Sequence, residues 1–403
     1  MAPNLAAAQA VTPIPVVALG DAPRNADSTS AARVPGKEGI ALRARSGSDG
    51  KHASEPVAEP SVPSQHAQLG DASKLALAIN KKLGYYTRAP ISLLSMLCAL
   101  IGVFVHFRLW EQVSLSMWLV AYVMGVSCIG STMSVMLHRY FSHAAFSTSR
   151  TFQAVMAVLS CCAAQRGPVW WASKHIQHHA NCDTEEDPHS PVLSGILGCV
   201  LFSVGDCEVA WAYVPKRLML PELLLIDTFH FVPPTLLMTA IAFCSDQPLV
   251  SAFMRGALPM FFSCLMSNVF NARYHDDEES EMSTQCRAVD RQVDIMANMV
   301  GENLHAMHHT QPRLAKRSNY DLPYWLLVKP LLAVGLIWDA QYSDPAIEAA
   351  FEAKNKEVRS VKPPKPAKIF PLRVWDVLGT VLMELMLCIV FAVWVSRQLN
   401  NTA

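Results

Sequence analysis

The sequence predicts an all-α membrane protein: four core transmembrane helices, a helical cap on the cytoplasmic side, and an extra C-terminal apolar helix. Three observations predict it. Only 16% of the 403 residues are charged and 51% are hydrophobic, whereas soluble domains carry roughly 25% charged residues. Apolar runs approaching the ~20 residues that cross a bilayer recur along the chain. The polar segments between them alternate short and long. Formal net charge is zero, which gives no electrostatic bias toward nucleic acid.

Residues 1–72 contain no Phe, Trp or Tyr and are rich in Ala, Pro and Ser. Such a stretch cannot bury enough apolar surface to offset its ordering entropy, so a disordered extension is expected. An organelle-targeting role is open, although Asp21, Asp27 and Glu38 argue against an acid-poor transit peptide. The membrane domain is placed at 73–345, with candidate spans at Ile91–Phe107, Met117–Leu137, Thr228–Phe243 and Leu249–Phe270. Pro233-Pro234 should kink or delay the third. A proline-rich linker (346–373) precedes a fifth apolar run, Val374–Val395, in the segment 374–403. Lys74, Lys81, Lys82 and Arg88 precede the first span and predict a cytoplasmic N-terminus. The short connections 108–116 and 245–248 then fall on the far side, and the long segments 138–227 and 271–373 share the near side. The eleven cysteines lie mostly in apolar runs without a CxxC pair. They are read as small buried hydrophobes with reduced thiols.

Eight of the fourteen histidines fall in three clusters. These are His138 and His143 in HRYFSH, His175, His178 and His179 in HIQHH, and His305, His308 and His309 in HAMHH. All lie in the near-side segments. Positions i, i+3 and i+4 share one helical stripe, so each HxxHH is expected to aim three imidazoles at one point. His138 and His143 are five apart and cannot share a face of a regular helix, so the end of the second span is expected to unwind between them. His275 lies one turn after Asn271, on the same face. Of the other histidines, His52 and His66 lie in the tail. His106 and His230 sit near span ends and read as interfacial, and His189 as structural.

Nine imidazoles exceed the needs of one tetrahedral zinc. Divided between two metals they supply four or five ligands each. Imidazole suits iron, copper, nickel and zinc, and chemistry that needs a redox change selects iron over zinc. Asp183, Glu185, Glu186, Asp187, Asp276, Asp277 and Glu302 are available to orient ring N–H groups, with no individual assignment. Trp170 and Trp171 are candidates to line a substrate tunnel, and interfacial anchoring is the alternative.

The HxxxxH, HxxHH and HxxHH boxes, placed after the second and fourth spans, resemble those of the membrane fatty acyl desaturases of the Δ9 (stearoyl-type) branch. The resemblance covers roughly residues 85–340. It includes HHANCDTEEDPHSP, GENLHAMHHT and the NxxxH element from Asn271 to His275. It implies a di-iron cap in which His138, His143, His175, His178, His179, His275, His305, His308 and His309 hold two irons and Asn271 acts through water. It further implies O2 as co-substrate and an acyl chain, carried on CoA or a lipid, in a bent tunnel beneath the metals. The implied reaction inserts a cis double bond, at Δ9. The implied membrane is that of the endoplasmic reticulum, with a plastid membrane as the alternative. No His-Pro-Gly-Gly haem motif occurs, so cytochrome b5 or ferredoxin is expected as a separate electron donor.

The sequence departs from the pattern in places. Ser173-Lys174 stands where acyl-CoA members carry Arg-Asp, and DPHSP (Asp187–Pro191) is also similar to the acyl-lipid enzymes. An acidic run, HDDEESE, follows NxxxH. A di-iron lipid hydroxylase shares the boxes and is separated only by product. A membrane metal transporter would place its ligands at mid-membrane depth, whereas here they lie outside the spans.

Overall fold

The computed structural model describes residues 69–88 and 93–343 apart from 277–281, 283–284 and 292–293, together with 345 and 349. The tail through residue 68, the linker after 349 and the fifth apolar run lie outside the described residues. The described chain is almost entirely helical. Its one sheet is a two-residue antiparallel pair, β1 (Ser147–Thr148) with β2 (Ile337–Trp338).

Helix α1 (Asp71–Arg88) was not among the expected elements. It is amphipathic, burying Ser73, Ala76, Leu77, Asn80, Gly84 and Arg88, spaced three or four apart as one helical stripe requires. That face packs on α7 (Pro221–Thr228). There Arg88 pairs with the fully buried Asp227 at 2.9 Å, and Asn80 donates to the same carboxylate at 3.0 Å.

Helix α2 (Leu93–His106) has 14 residues, shorter than a full bilayer crossing. Helix α3 runs from Leu115 to Ser142 and is long and apolar enough to cross a membrane. Ser114 caps it by accepting from Met117 N–H at 3.3 Å. Leu115, Leu119 and Val123 are exposed on one side of it, the pattern of a lipid-facing stripe. Helix α4 (Arg150–Ser160), α5 (Pro168–Ala180) and α6 (Pro191–Gly205) follow.

The expected third span is a bent pair, α7 and α8 (Val232–Phe243), whose axes turn by 63°. Pro233 and Pro234 occupy the first turn of α8, where a missing N–H costs nothing. They therefore start a new helix instead of kinking one. Helix α9 (Pro248–Tyr274) is the second helix of spanning length and composition. The described residues thus hold two such helices, or three if the bent pair is one span. Three short helices, α10 (Ile295–Val300), α11 (His305–Thr310) and α12 (Tyr324–Ala333), complete the chain.

Helix α9 packs against α3 and α6, and α5 against the lower half of α3. The main core lies between these elements and includes Leu137, Phe141, Met156, Trp170, Leu218 and Leu223. A second cluster joins α2, α8 and the start of α9, where Phe104 and Phe253 stack 4.0 Å apart.

Candidate metal centre

The last 14 residues of α3, Ile129–Ser142, form a π-helix. This corrects the expected unwinding between His138 and His143. In a π-helix the backbone bonds run i to i+5, and His143 N–H donates to His138 C=O at 3.3 Å. Residues five apart therefore share a face, and both imidazoles point the same way without a break.

The remaining boxes sit on short regular helices. Helix α5 starts at Pro168, whose ring is preset for a first turn, and carries His175, His178 and His179. Helix α11 begins at His305 and carries His308 and His309. His275 caps the end of α9 in an extended conformation.

The structure brings all nine histidines together, divided in a way the boxes alone do not convey. In the first set the Nε2 atoms form a chain: His143 to His175 at 2.9 Å, His175 to His179 at 3.1 Å, His179 to His308 at 3.0 Å and His308 to His138 at 2.9 Å. In the second, His305 Nε2 lies 3.0 Å from His275 Nε2 and 3.2 Å from His309 Nε2, and His178 joins His275 and His309. Each HxxHH is thus split, correcting the expectation of one target per box. At 100° per residue, i and i+4 lie 40° apart on one side and i+3 lies 60° away on the other. The i, i+4 pair serves one set and i+3 crosses to the other.

Three buried carboxylates orient the rings, and each comes from the acids left unassigned by sequence. Asp187 lies 2.8 Å from His178 Nδ1, Asp183 2.9 Å from His275 Nδ1 and Glu302 3.3 Å from His138 Nδ1. Glu185 and Glu186 are exposed, Asp276 is half-buried and Asp277 lies outside the described residues. His189, read as structural, stacks on His178 at 4.3 Å. His230, read as interfacial, is fully buried beside Asp227, with Nδ1 3.2 Å from its carbonyl.

The donor set fits metal ions. Two nitrogens each about 2.1 Å from one metal and at right angles to it stand about 3 Å apart, the spacing found here. At His178 and His275 the carboxylates at Nδ1 favour the Nδ1–H tautomer, which leaves each Nε2 lone pair free to face a metal. His178 Nε2 is buried with no hydrogen-bond partner among the described residues. A metal ion would satisfy it.

Burial holds His143, His175, His179, His305, His308 and His309 well below the ordinary imidazole range, and repulsion between neighbouring rings adds to it. His178 moves up instead, because Asp187 outweighs its burial. Burial would raise Asp183 and Glu302, but their cationic and N–H partners hold both below the usual carboxylate range. Depressed histidines contribute stability that is present above the unfolded value of about 6.5 and lost as pH falls below it. The depressed carboxylates lose theirs in the same direction, further down. His178 opposes them alone. The metal-free protein is therefore expected to melt at progressively lower temperature below about pH 6.5. A melting temperature that is constant or rising from about pH 7 to about pH 5 would contradict this.

Beside the two sets lies a small cavity lined by His138, His175, His305 and Asn271 together with Met133, Trp170, Trp171, Phe202 and Phe270. Trp170 and Trp171 are both buried. Lys174 also lines it, and its Nζ sits 2.6 Å from Asp206. Sequence reasoning missed this pair, because the neutralising partners stand 32 positions apart and carry no local signal.

A helical chain with apolar helices long enough to cross a membrane and a buried two-part imidazole cluster that could hold metal, beside an aromatic-lined cavity, defines the class. The chain belongs to the fatty acid desaturase family, whose pattern matches residues 112–332, more than half of its length. It is similar to a hex-5-enoyl-[acyl-carrier protein] acetylenase of Moorena producens (strain JHB), 43% identical over 90 residues, covering 21% of this chain and 27% of the relative. It is also similar to the Delta(9)-fatty-acid desaturase fat-7 of Caenorhabditis elegans, 24% identical over 228 residues, covering 50% and 64%. A third relative is the sn-2 palmitoyl-lipid 9-desaturase of Nostoc sp. (strain 36), 25% identical over 227 residues, covering 52% and 75%. The chain thus spans under two thirds of the first two relatives.

Proposed function

We propose that the chain is an oxygen-dependent fatty acyl desaturase that inserts a cis double bond, at Δ9, into a saturated acyl chain. The observation that carries the reading is the pair of convergent imidazole sets facing an aromatic-lined cavity. His138, His143, His175, His179 and His308 would hold one iron. His178, His275, His305 and His309 would hold the other, with Asn271 acting through water. Two irons, when bound, supply the oxygen activation needed to remove hydrogen from an unactivated methylene. Two electrons come from the substrate and two from cytochrome b5 or ferredoxin.

The chain's own residues supply position. Asp183, Asp187 and Glu302 hold the rings, and Trp170, Trp171, Phe202 and Phe270 exclude water and seat the chain. Misplacing the reacting carbon by about 1 Å can cost about a hundredfold. Helices α3 and α9 and the bent pair α7–α8 would cross the membrane, with the 14-residue α2 entering it part-way and the boxes on the cytoplasmic side, in the endoplasmic reticulum or a plastid membrane. Expression in yeast lacking its own Δ9 enzyme tests the reaction. Growth without oleate and a cis-9 product are expected. A hydroxylated, acetylenic or unchanged lipid would replace the reading.

The acyl carrier is proposed to be a lipid. Lys174 is buried and already paired with Asp206, so it presents no free cation to a CoA phosphate. Exchanging Ser173-Lys174 for Arg-Asp is expected to raise use of acyl-CoA, by about tenfold if one good charge contact is gained. Asp206→Asn accompanies the exchange, since two carboxylates would otherwise face each other. An unchanged carrier preference would remove the argument.

A further inference from the structure

We propose that Cys182 and Cys286 form a redox-sensitive clasp that positions His275 and so sets metal occupancy of the four-histidine set alone. The inference rests on the metal-holding part of the reading above and is independent of desaturation. Reading these two cysteines as reduced thiols is corrected by the structure, in which they are bonded, with Cα atoms 5.0 Å apart and a sequence separation of 104. Cys182 lies three residues after His179, and Cys286 lies between His275 and the third box. Both are buried, at 6% and 5% exposure.

What the bond holds is the second set. The residues following the two cysteines, Asp183 and Arg287, meet: Arg287 N–H donates to Asp183 Oδ2 at 2.7 Å. The same oxygen lies 2.9 Å from His275 Nδ1. Ser190 Oγ donates to the other carboxylate oxygen at 2.5 Å. His275 is in turn bridged to Ala288, and Asp276 N–H donates to Arg287 C=O at 2.9 Å. The segment carrying Cys286 is thus one wall of the pocket that aims His275. The sulfurs lie 3.8 Å from His275 Nδ1 and 3.6 Å from His309 Nδ1. Both rings belong to the four-histidine set.

Asp183 holds a left-handed conformation at φ 57°, which a non-glycine residue keeps only when its surroundings impose it. Cross-linking across a long loop removes many opened conformations. Cutting the link frees the 286–288 segment to part from Asp183 and lets His275 turn. A dithiol does this with a balanced exchange. The Cys182–Cys286 bond breaks, two S–H groups form, and the donor becomes a disulfide, passing two electrons and two protons. A bond on a cytoplasmic or stromal face meets such donors.

The test uses the full chain, purified oxidised in detergent. Free thiols are counted by alkylation and mass spectrometry. Iron per chain is followed under a chelator, before and after dithiothreitol and again after reoxidation. The oxidised protein is expected to protect both cysteines. Reduction should speed the loss of one iron by about tenfold or more, the scale of a lost outer-shell partner. The other iron should remain, and reoxidation should restore the first. The Cys182→Ser/Cys286→Ser variant should behave as the reduced form whatever the dithiothreitol; if it does not fold, the reduction of wild-type protein carries the test by itself. Alkylation of both thiols in the oxidised protein would overturn the clasp. So would unchanged iron after the bond opens, equal loss of both irons, or a chain that binds no iron in either state. One iron lost on reduction from a protein that desaturates nothing would leave the clasp standing and remove only the proposed reaction.

Discussion

His178→Ala is expected to abolish product formation and to release iron from the four-histidine set, leaving the five-histidine set loaded. His178 Nε2 is buried, faces inward and has no other partner among the described residues, while its Nδ1 is held by Asp187 at 2.8 Å. Nothing else occupies its place on the i+3 side of α5. His308→Ala removes the corresponding ligand from the five-histidine set, where its Nε2 touches those of both His138 and His179. Losing an outer-shell partner costs about 10–100-fold in metal affinity or activity, and loss of a ligand itself should exceed that. Membrane insertion should be unaffected, since both residues lie beyond the spans. Product at wild-type levels from either variant would refute the site.

The second large effect lies one layer further out. Arg139 is fully buried in the π segment of α3 and donates to Asp321 at 2.7 and 3.1 Å. Its other neighbours are Glu302, Ser134, and the carbonyls of Val300 and Ala315. Asp321, also fully buried, accepts from the backbone N–H groups of Arg317 and Tyr324 at 3.0 Å each. Arg317 in turn pairs with Glu302, the carboxylate that faces His138. Gly301 sits in this knot at φ +69°, with no room for a Cβ against Asp321. Asp321→Ala removes the nearest counter-charge of a buried guanidinium, leaving it only the more distant and shared Glu302, and strands two backbone donors, which should cost about 3–5 kcal/mol. Denaturation in detergent measures it. A loss below about 1 kcal/mol, the scale of an exposed ion pair, would show that Arg139 does not depend on this carboxylate.

Much of the site was legible in the sequence because its signals are local. The spacing within each histidine box, the NxxxH element and the apolar runs of α3 and α9 are patterns of adjacent residues. Periodicity converts them directly into faces and spans. The aromatic-free tail is equally local; residues 1–68 of it lie outside the described residues, and its expected end at 72 is corrected by α1, which already begins at Asp71.

Tertiary structure alone decided the rest. Which imidazole joins which set depends on where α5, α11 and the end of α9 meet. The i, i+3, i+4 stripe is wide enough to serve two targets, and the boxes do not say how it divides. The π-helix at His138–His143 replaces an expected break because the helix can widen its turn and keep its backbone bonds. Asp183, Asp187 and Glu302 stand out from their acidic neighbours only through burial beside a ring nitrogen. Cys182 and Cys286 are remote in sequence and adjacent in space. In each case the deciding contact spans elements that periodicity describes one at a time, and only packing brings them within reach of a hydrogen bond, an ion or a covalent link.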